Sequence, residues 1–407
     1  MIGARVLDLS ASVAGAYCAR QLATLGADVL KVEPPGGDPL RRMPPLLPRP
    51  EGEAAVSASF AYLNAYKRGI ALDLTSDLGR EALARLIAQT DAVISSAAGQ
   101  VELDAVFARQ TLMAATNPRC VHTVVSPYGL TGPYRDFEAT DLTDWAVSGY
   151  LQITGDPERE PLQGGGAWCG HATGLTAAVA TAAAMRRARA TGRGQLVDVG
   201  AMEAMAGLHQ WSLVLYTHQG VVKRRAGNRH AESYHPLGLQ ACKDGAVCMA
   251  VSSQDHWERL CLAMDRPELL LDARFATGAG RYDHADEIDR LLQPWLLART
   301  REEIVATLQA CRIPAASVLT LTELLAEPAL AERGFWAETT VAGRTGRLPG
   351  APVRLGSTPG FRPAPTLGEH ADDVFAALGF SEDERDRLIA AAGGRADSAE
   401  QTQGALR

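Results

Sequence analysis

The sequence lacks several features that identify common protein classes. Its longest nearly apolar run, residues 175–185, is far shorter than the roughly 20 residues of a membrane-spanning helix. Its seven cysteines include no Cys-x-x-Cys pair, and the spacings of Cys242, Cys248 and Cys261 fit no zinc pattern. The basic run at residues 223–225 is too short to form a nucleic-acid-binding patch.

These absences exclude whole classes of function. The net charge of −7 disfavours nucleic acid as a partner, because binding to phosphates needs a cationic surface. Dispersed cysteines are typical of reduced thiols rather than of a disulfide framework. The first residues predict a strand, not a cleaved leader. We therefore expect a cytoplasmic protein that binds neither nucleic acid nor a membrane and holds no metal ion.

Strands and helices alternate in the first third of the chain. β-rich runs are predicted at residues 4–10, 27–33, 69–74, 91–96 and 120–126, with helical patterns between them. This alternation is typical of a parallel sheet covered by helices on both faces. The predicted fold class is therefore α/β, with a Rossmann-like large domain.

A dinucleotide cofactor is not expected on this sheet. The turn after the first strand reads SASVAG at residues 10–15, where a dinucleotide-binding unit has Gly-x-Gly-x-x-Gly. Without those glycines the backbone cannot approach a pyrophosphate closely, although Glu33 ends the second strand as a ribose-binding acid would.

A glycine-rich stretch is the most unusual local feature of the chain. Residues 164–178 read GGGAWCGHATGLTAA, which predicts an open loop followed by an alanine-rich helix at 175–190. Backbone N–H groups at a helix start suit an anion or a carbonyl oxygen. Beyond residue 234, a strand pair followed by helices predicts a second, compact α+β domain.

Seven stretches resemble the family III CoA-transferases, which include formyl-CoA and carnitine CoA-transferases and 2-methylacyl-CoA racemases. The first reads VLDLSASVAGAYCARQLATLGADVLKVEPPGGDPLRR at residues 6–42, and another reads ATGRGQLVDVGAMEAM at 190–205. The others lie at residues 64–94, 117–141, 225–230, 272–281 and 364–381. Because they occur in the family's order across nearly the whole chain, the resemblance is specific.

The resemblance implies an architecture and a chemistry. The large domain would comprise residues 1–225 and 322–394, with a small α+β domain inserted at 226–321 and a disordered tail at 395–407. Two chains would interlock as a dimer, with coenzyme A (CoA) thioesters as substrates and no permanently bound cofactor. A family carboxylate attacks the thioester and forms a mixed anhydride, which keeps the activated acyl group away from water.

At three positions the sequence departs from the family pattern. The attacking aspartate should fall at Cys169 or Gly170, and neither residue can form the anhydride. The family's acidic-Asn-Phe stretch reads SSAAG at residues 95–99, and the position of the racemases' catalytic His is Thr140. The resemblance therefore implies the non-catalytic subunit of a heteromeric CoA-transferase. A homologous partner subunit would carry the aspartate, and CoA would move between succinyl-CoA and an aromatic carboxylic acid.

Candidate contact residues follow from the same resemblance. The expected CoA phosphate contacts are Arg41, Arg42, Lys67, Arg68 and Arg135. The residues expected near the substrate are Gly165, Gly166, Arg229 and His230. Asp141 and Asp144 lie near the expected pocket, and capping of the following helix explains Asp141 without a ligand.

Two alternatives stay open from the sequence. In the first, the chain is an active homodimer that uses a displaced acid such as Asp156, or the Cys169 thiol with help from His171. A thiol near a helix start can have a lowered pKa and act as a nucleophile. In the second, the chain is a regulatory protein that binds acyl-CoA without turning it over.

Overall fold

The computed structural model of the chain describes residues 1–49, 54–229, 234–356 and 359–393. The strands are β1 (Arg5–Asp8), β2 (Asp28–Glu33), β3 (Leu46–Leu47), β4 (Val56–Ser57), β5 (Arg68–Ala71), β6 (Ala92–Ser96), β7 (Val121–Ser126), β8 (Leu196–Gly200), β9 (Leu237–Cys242), β10 (Gly245–Ala250), β11 (Ala315–Ser317), β12 (Trp336–Val341) and β13 (Arg344–Pro349).

The α-helices are α1 (Val13–Thr24), α2 (Ala58–Leu63), α3 (Asp77–Ala88), α4 (Gln100–Thr116), α5 (Asp141–Val147), α6 (Tyr150–Ile153), α7 (Trp168–Thr191), α8 (Ala201–Gly207), α9 (Gln210–Gln219), α10 (Gln254–Ala263), α11 (Gly278–Asp283), α12 (Ala285–Leu297), α13 (Arg301–Ala310), α14 (Leu321–Ala326), α15 (Pro328–Glu332), α16 (Ala371–Ala377) and α17 (Glu382–Ala391). Ser76 caps α3, where its hydroxyl accepts a hydrogen bond from the backbone N–H of Gly79.

A six-stranded parallel sheet forms the centre of the fold, in the order β5-β2-β1-β6-β7-β8. Every residue of β7 is buried, as expected where helices cover both faces of a parallel sheet. The α/β class predicted from the sequence is confirmed. Smaller antiparallel sheets (β9 to β11, and β12 with β13) accompany the central sheet.

The chain divides into two compact units. One comprises residues 1–148, 164–209 and the described residues from 330 onward, and it contains the six-stranded sheet. The other comprises residues 149–163 and 210–329, and its core includes Trp257 and Phe275. The domain boundaries expected from the resemblance stay a prediction. The tail expected at 395–407 lies outside the described residues.

Helices α1 and α7 pack closely in the large unit, because glycines of α7 allow their backbones to approach. A Cβ atom on Gly174 would lie 2.5 Å from the carbonyl oxygen of Ala14. The prediction that this helix starts at residue 175 was wrong: α7 begins at Trp168. Cys169 and Gly170 therefore lie in its first turn, not in the preceding loop.

Helices α8 and α9 are separate, with residues 208–209 between them. No residue of α9 is buried. Four of its large apolar residues are at least half exposed: Trp211 by 52%, Leu213 by 50%, Val214 by 51% and Tyr216 by 58%. An apolar surface of this kind is unusual on a protein that stays monomeric.

Candidate active site

A cavity of about 360 Å³ lies at the carboxyl ends of the central strands. Residues that follow β1, β6, β7 and β8 line it, among them Ala11, Ala97, Pro127 and Ala201. The strand order changes direction between the neighbouring strands β1 and β6: β2 and β5 follow on the side of β1, and β7 and β8 follow on the side of β6. Open parallel sheets bind their ligands at such a switch point. The cavity is therefore the candidate active site.

Buried charges hold the turn between β1 and α1, which forms one wall of the cavity. Asp8 accepts hydrogen bonds from the hydroxyl of Ser10 at 2.6 Å and from Lys67 Nζ at 2.7 Å. Lys31 Nζ donates to the carbonyl oxygen of Ser10. Ser12 then caps α1 with its side chain. Because each charge has an opposite partner or a hydrogen bond, the turn is fixed in place.

Gly170 is one of the two positions at which the resemblance predicts a carboxylate. It lines the cavity from the first turn of α7, whereas Cys169 is absent from the lining. Of the two positions left open by the sequence, residue 170 is thus the one that faces the ligand space. A Cβ atom on Gly170 would lie 2.9 Å from Cγ1 of Val13. Real Cβ atoms almost never lie that close to a neighbour, so Val13 occupies the space that a side chain at residue 170 would need.

Cys169 is a poor replacement for the missing nucleophile. The residue is fully buried, and its backbone N–H donates to Asp141 Oδ1 at 3.1 Å. Burial, with the carboxylates of Asp141 and Asp144 nearby, raises the pKa of the Cys169 thiol to about 12. The thiolate is the reactive form of cysteine, so this thiol stays protonated and unreactive at neutral pH.

His171 does not assist Cys169. Its Nδ1 lies 2.6 Å from the carbonyl oxygen of Ala167, so this nitrogen donates the ring proton to the backbone. The ring packs edge-on against Tyr17, with the ring centroids 4.6 Å apart. His171 therefore has a structural role at the start of α7.

Two aspartates line the cavity from α5. Thr140 caps this helix, so the capping role expected for Asp141 belongs to its neighbour, and Asp141 instead accepts the N–H of Cys169. Burial, followed by repulsion from Asp141, raises the pKa of Asp144 to about 6. Perturbed acids in a cleft are typical of functional sites.

Sequence reasoning placed Asp144 near the expected pocket without assigning it a chemical role, and it did not single out Ser126, which ends β7. Both line the cavity. Asp144 Oδ1 and Ser126 Oγ are buried and lack a hydrogen-bond partner in the described part of the chain. The available signal was the spacing of Asp141 and Asp144, which places both on one face of a helix.

The glycine loop before α7 is open at two of its positions. A Cβ atom on Gly165 or Gly166 would meet nothing within 4 Å, and Gly166 has φ of +83°. Next to them, Ala167 lines the cavity. Gly165 and Gly166 immediately precede this lining residue in the chain, and their role at the substrate stays a prediction.

Arg41 and Arg42 lie in the turn after β2. The guanidinium of Arg41 donates two hydrogen bonds to Glu33, at 2.6 and 2.7 Å, so Glu33 has a structural partner. Arg42 is exposed, and the residue that follows it, Met43, lines the cavity. Of the pair, Arg42 is the better placed to meet a phosphate.

Lys67 and Arg68 are positioned unlike CoA contacts. Lys67 is fully buried, and its Nζ donates three hydrogen bonds, to Asp8, Asn64 and the carbonyl oxygen of Ala16. An ammonium has three donors, which leaves none for a phosphate. Arg68 begins β5 and so lies at the amino end of this parallel strand, whereas the cavity lies at the carboxyl ends. It pairs there with Asp28 at 2.7 Å.

Arg135 is exposed and lies 3.3 Å from Asp136. This ion pair is weak enough for a phosphate to replace, so Arg135 stays in the predicted set. In the SSAAG stretch, Ser96, Ala97 and Ala98 line the cavity.

Arg229 and Asp156 belong to the smaller unit. Arg229 pairs with Asp286 and Asp289, both at 2.6 Å. Asp156 Oδ1 accepts the N–H of Glu158 at 2.8 Å. His230 lies outside the described residues.

Two further findings concern membranes and metals. In the described ranges, no helix combines the length and apolar character that a bilayer span requires. Among the same residues, no three His, Cys, Asp or Glu side chains are grouped to hold a metal ion.

The fold and cavity define an α/β protein that binds a ligand at the switch point of a parallel sheet. The profile of CoA-transferase family III matches residues 1–371. The chain therefore belongs to this family, whose substrates are CoA thioesters.

Similar proteins span nearly the whole chain. The succinate–glutarate CoA-transferase of Agrobacterium fabrum is 30% identical, over 92% of this chain and 95% of the relative. Subunit BbsE of the succinyl-CoA:(R)-benzylsuccinate CoA-transferase of Thauera aromatica is 31% identical, over 95% and 96%. A solved CAIB/BAIF family protein from Brucella suis is 29% identical, with a TM-score of 0.79 over 93% of this chain and 98% of that one.

Proposed function

We propose that this chain is the non-catalytic subunit of a cytoplasmic, heteromeric family III CoA-transferase. The complex moves CoA between succinyl-CoA and an aromatic carboxylic acid. A homologous partner subunit supplies the aspartate. The observation that carries the proposal is Gly170, which lines the cavity at the matching position and has no side chain to attack a thioester.

The chemistry explains why the Cys169 thiol does not replace the aspartate. Attack by a carboxylate on the thioester carbon expels the CoA thiolate and forms a mixed anhydride, which an incoming acid can exchange. A cysteine would form another thioester, which gives no comparable activation. Cys169 is in any case buried, with a pKa raised to about 12 by burial and by Asp141 and Asp144.

Two observations support a heteromeric assembly. BbsE, 31% identical to this chain, is a subunit of a CoA-transferase. Helix α9 exposes Trp211 and Tyr216 by more than half, as is typical of a surface that another chain covers. We place this helix in the interlocked interface with the partner subunit, and Arg42 and Arg135 among the residues that contact CoA phosphates.

The test is to express the chain alone and together with a homologous chain that carries the aspartate. Native mass spectrometry is expected to show a mixed complex, and CoA transfer is expected only from that complex. Replacing the partner's aspartate by alanine should abolish transfer, whereas Cys169→Ala in this chain should leave transfer close to the wild-type level. A pure homodimer with full activity contradicts the proposal.

One observation favours a second candidate, an active homodimer. Asp144 is an acid that lines the same cavity as Gly170, and a displaced carboxylate there would attack the thioester in place of the lost aspartate. The isolated chain would then turn over, and Asp144→Asn would abolish its activity. Complete inactivity of the purified, CoA-binding chain excludes this candidate.

A further inference from the structure

The charge of the cavity differs from what a dicarboxylate requires. Three acids line it, Glu102, Asp141 and Asp144, and none of its described lining residues is Lys, Arg or His. Most of the remaining lining is apolar, with Val13 and Val125 among the larger side chains. Like charges in a partly desolvated space repel strongly, so a carboxylate on the ligand is disfavoured.

Most polar side chains of the lining already have hydrogen-bond partners within the protein. Ser12 accepts the N–H of Gly15, and Ser96 accepts the N–H of Ala11. Glu102 accepts the N–H of Ala98 at 2.7 Å. The lining hydroxyls of Thr140 and Thr173 are likewise engaged within their own helices.

Two buried polar atoms of the lining are different: Asp144 Oδ1 and Ser126 Oγ have no partner in the described chain. Ser126 is only 7% exposed. Buried polar atoms in folded proteins are almost always hydrogen-bonded. The first of these atoms is a carboxylate acceptor and the second is a hydroxyl, so the matching ligand group is a hydrogen-bond donor.

We propose that this cavity selects a short, uncharged acyl group that carries a hydroxyl, presented as a CoA thioester, and rejects acyl groups that end in a carboxylate. The acyl group is placed here because Gly170, the position of the missing nucleophile, lines the same cavity. The hydroxyl donates to Asp144 and accepts from Ser126. Asp144 is thus a specificity-determining residue of this chain.

The inference rests on the CoA-binding part of the proposed function, and it assigns different acyl groups to the cavities of the two subunits. Dicarboxylic acids are exchanged in the partner's cavity, which has the aspartate. The cavity of this chain binds a different thioester and holds it without turnover. The complex then has two unlike acyl sites.

The experiment measures binding by titration calorimetry of the full chain with four probes: CoA, butyryl-CoA, 3-hydroxybutyryl-CoA and succinyl-CoA. We expect 3-hydroxybutyryl-CoA to bind about tenfold more tightly than butyryl-CoA, the size of one hydrogen bond to a charged acceptor. Succinyl-CoA should bind at least tenfold more weakly than 3-hydroxybutyryl-CoA.

Three variants separate charge from hydrogen bonding. Asp144→Asn keeps the shape, so succinyl-CoA should bind about tenfold more tightly than to wild type, while the preference for the hydroxyl falls to a few-fold. Asp144→Leu should remove that preference. Glu102→Gln is the matched control, because it removes a lining charge whose oxygen is already engaged, and it should keep the hydroxyl preference. Circular dichroism confirms that each variant is folded.

Three results overturn the inference. Equal affinity for 3-hydroxybutyryl-CoA and butyryl-CoA, with CoA itself bound, refutes the selectivity alone. If Asp144→Leu weakens the binding of CoA itself as much as the binding of 3-hydroxybutyryl-CoA, the hydrogen-bond donor lies on the pantetheine amides and not on the acyl group. A folded chain that binds none of the four probes refutes the CoA-binding part of the proposed function as well.

Discussion

Substitution of Gly170 by alanine tests whether the wall has closed over the lost nucleophile. Alanine in place of a helical glycine ordinarily stabilises a protein by about 0.5–1 kcal/mol. Here the added Cβ atom would lie 2.9 Å from Cγ1 and 3.0 Å from Cβ of Val13. Overpacking of this kind costs about 1–3 kcal/mol. Gly170→Ala should therefore lower the free energy of unfolding by about 0.5–2 kcal/mol.

The control is Gly207→Ala in α8, because a Cβ atom there would meet nothing within 4 Å. This variant should be as stable as wild type or more stable by up to about 1 kcal/mol. In the double variant Val13→Ala/Gly170→Ala, the smaller side chain removes the contact with Cγ1 at 2.9 Å and leaves the one with Cβ at 3.0 Å, so the two changes should couple favourably by up to about 1 kcal/mol.

Urea unfolding followed by far-UV circular dichroism gives the comparison. If Gly170→Ala stabilises the chain as much as Gly207→Ala does, the wall is not closed around residue 170 and the reasoning is refuted. The same outcome follows if Val13→Ala gives no recovery. A confirmed clash also indicates how to restore the site: Val13→Ala/Gly170→Asp, but not Val13→Ala/Gly170→Asn, should form a hydroxylamine-sensitive acyl adduct with an acyl-CoA.

Three further predictions concern reactivity, buried charge and pH. Iodoacetamide at pH 7 should label the exposed Cys248 and leave the buried Cys169 unmodified until the chain unfolds; peptide mass spectrometry checks this, and rapid labelling of Cys169 contradicts it. Lys67→Met should cost about 3–5 kcal/mol by removing the nearest cationic partner of the buried Asp8 carboxylate, whereas the partly exposed control Arg68→Met should cost less than about 1 kcal/mol, both from urea unfolding. Burial and Asp141 raise the pKa of Asp144 from 3.8 to about 6 in the folded protein, so wild type loses stability as the pH rises between these values. The melting temperature of Asp144→Asn relative to that of wild type should therefore rise between pH 4 and pH 7. A difference in melting temperature that does not change with pH refutes the shifted pKa.

The central sheet could be predicted from the sequence because its strands are buried on both faces and read as continuous β-rich runs. The start of α7 could not, since the segment from Trp168 to Gly174 contains two glycines and a histidine, which local propensity assigns to a loop. Packing against α1 overrides that propensity. Only glycine fits at position 174, because a Cβ atom there would lie 2.5 Å from the carbonyl oxygen of Ala14.

The site was predictable where it depends on order along the chain and unpredictable where it depends on orientation. Motif spacing placed the expected carboxylate at Cys169 or Gly170. Only the structure shows that Gly170 lines the cavity and that Cys169 does not. Lys67 was expected at a phosphate because of the family resemblance of the stretch at residues 64–94, in which a lysine is ordinarily a surface residue. Its burial against Asp8 depends on strands that are distant in sequence. The spacing of Asp141 and Asp144 indicated a shared helix face near the pocket, but the burial of Asp144 Oδ1 without a partner depends on a cavity wall assembled from four strand ends.

Helix α9 has a consequence for how the protein is made in the cell. The apolar side chains of Trp211, Leu213, Val214 and Tyr216, which are at least half exposed, promote self-association whenever the chain is produced in excess over what covers them. If the chain works in the proposed heteromeric complex, the two polypeptides must be synthesised in balanced amounts and meet soon after translation. Surplus copies of this chain would then precipitate or be degraded, and the abundance of the partner would set the amount that persists.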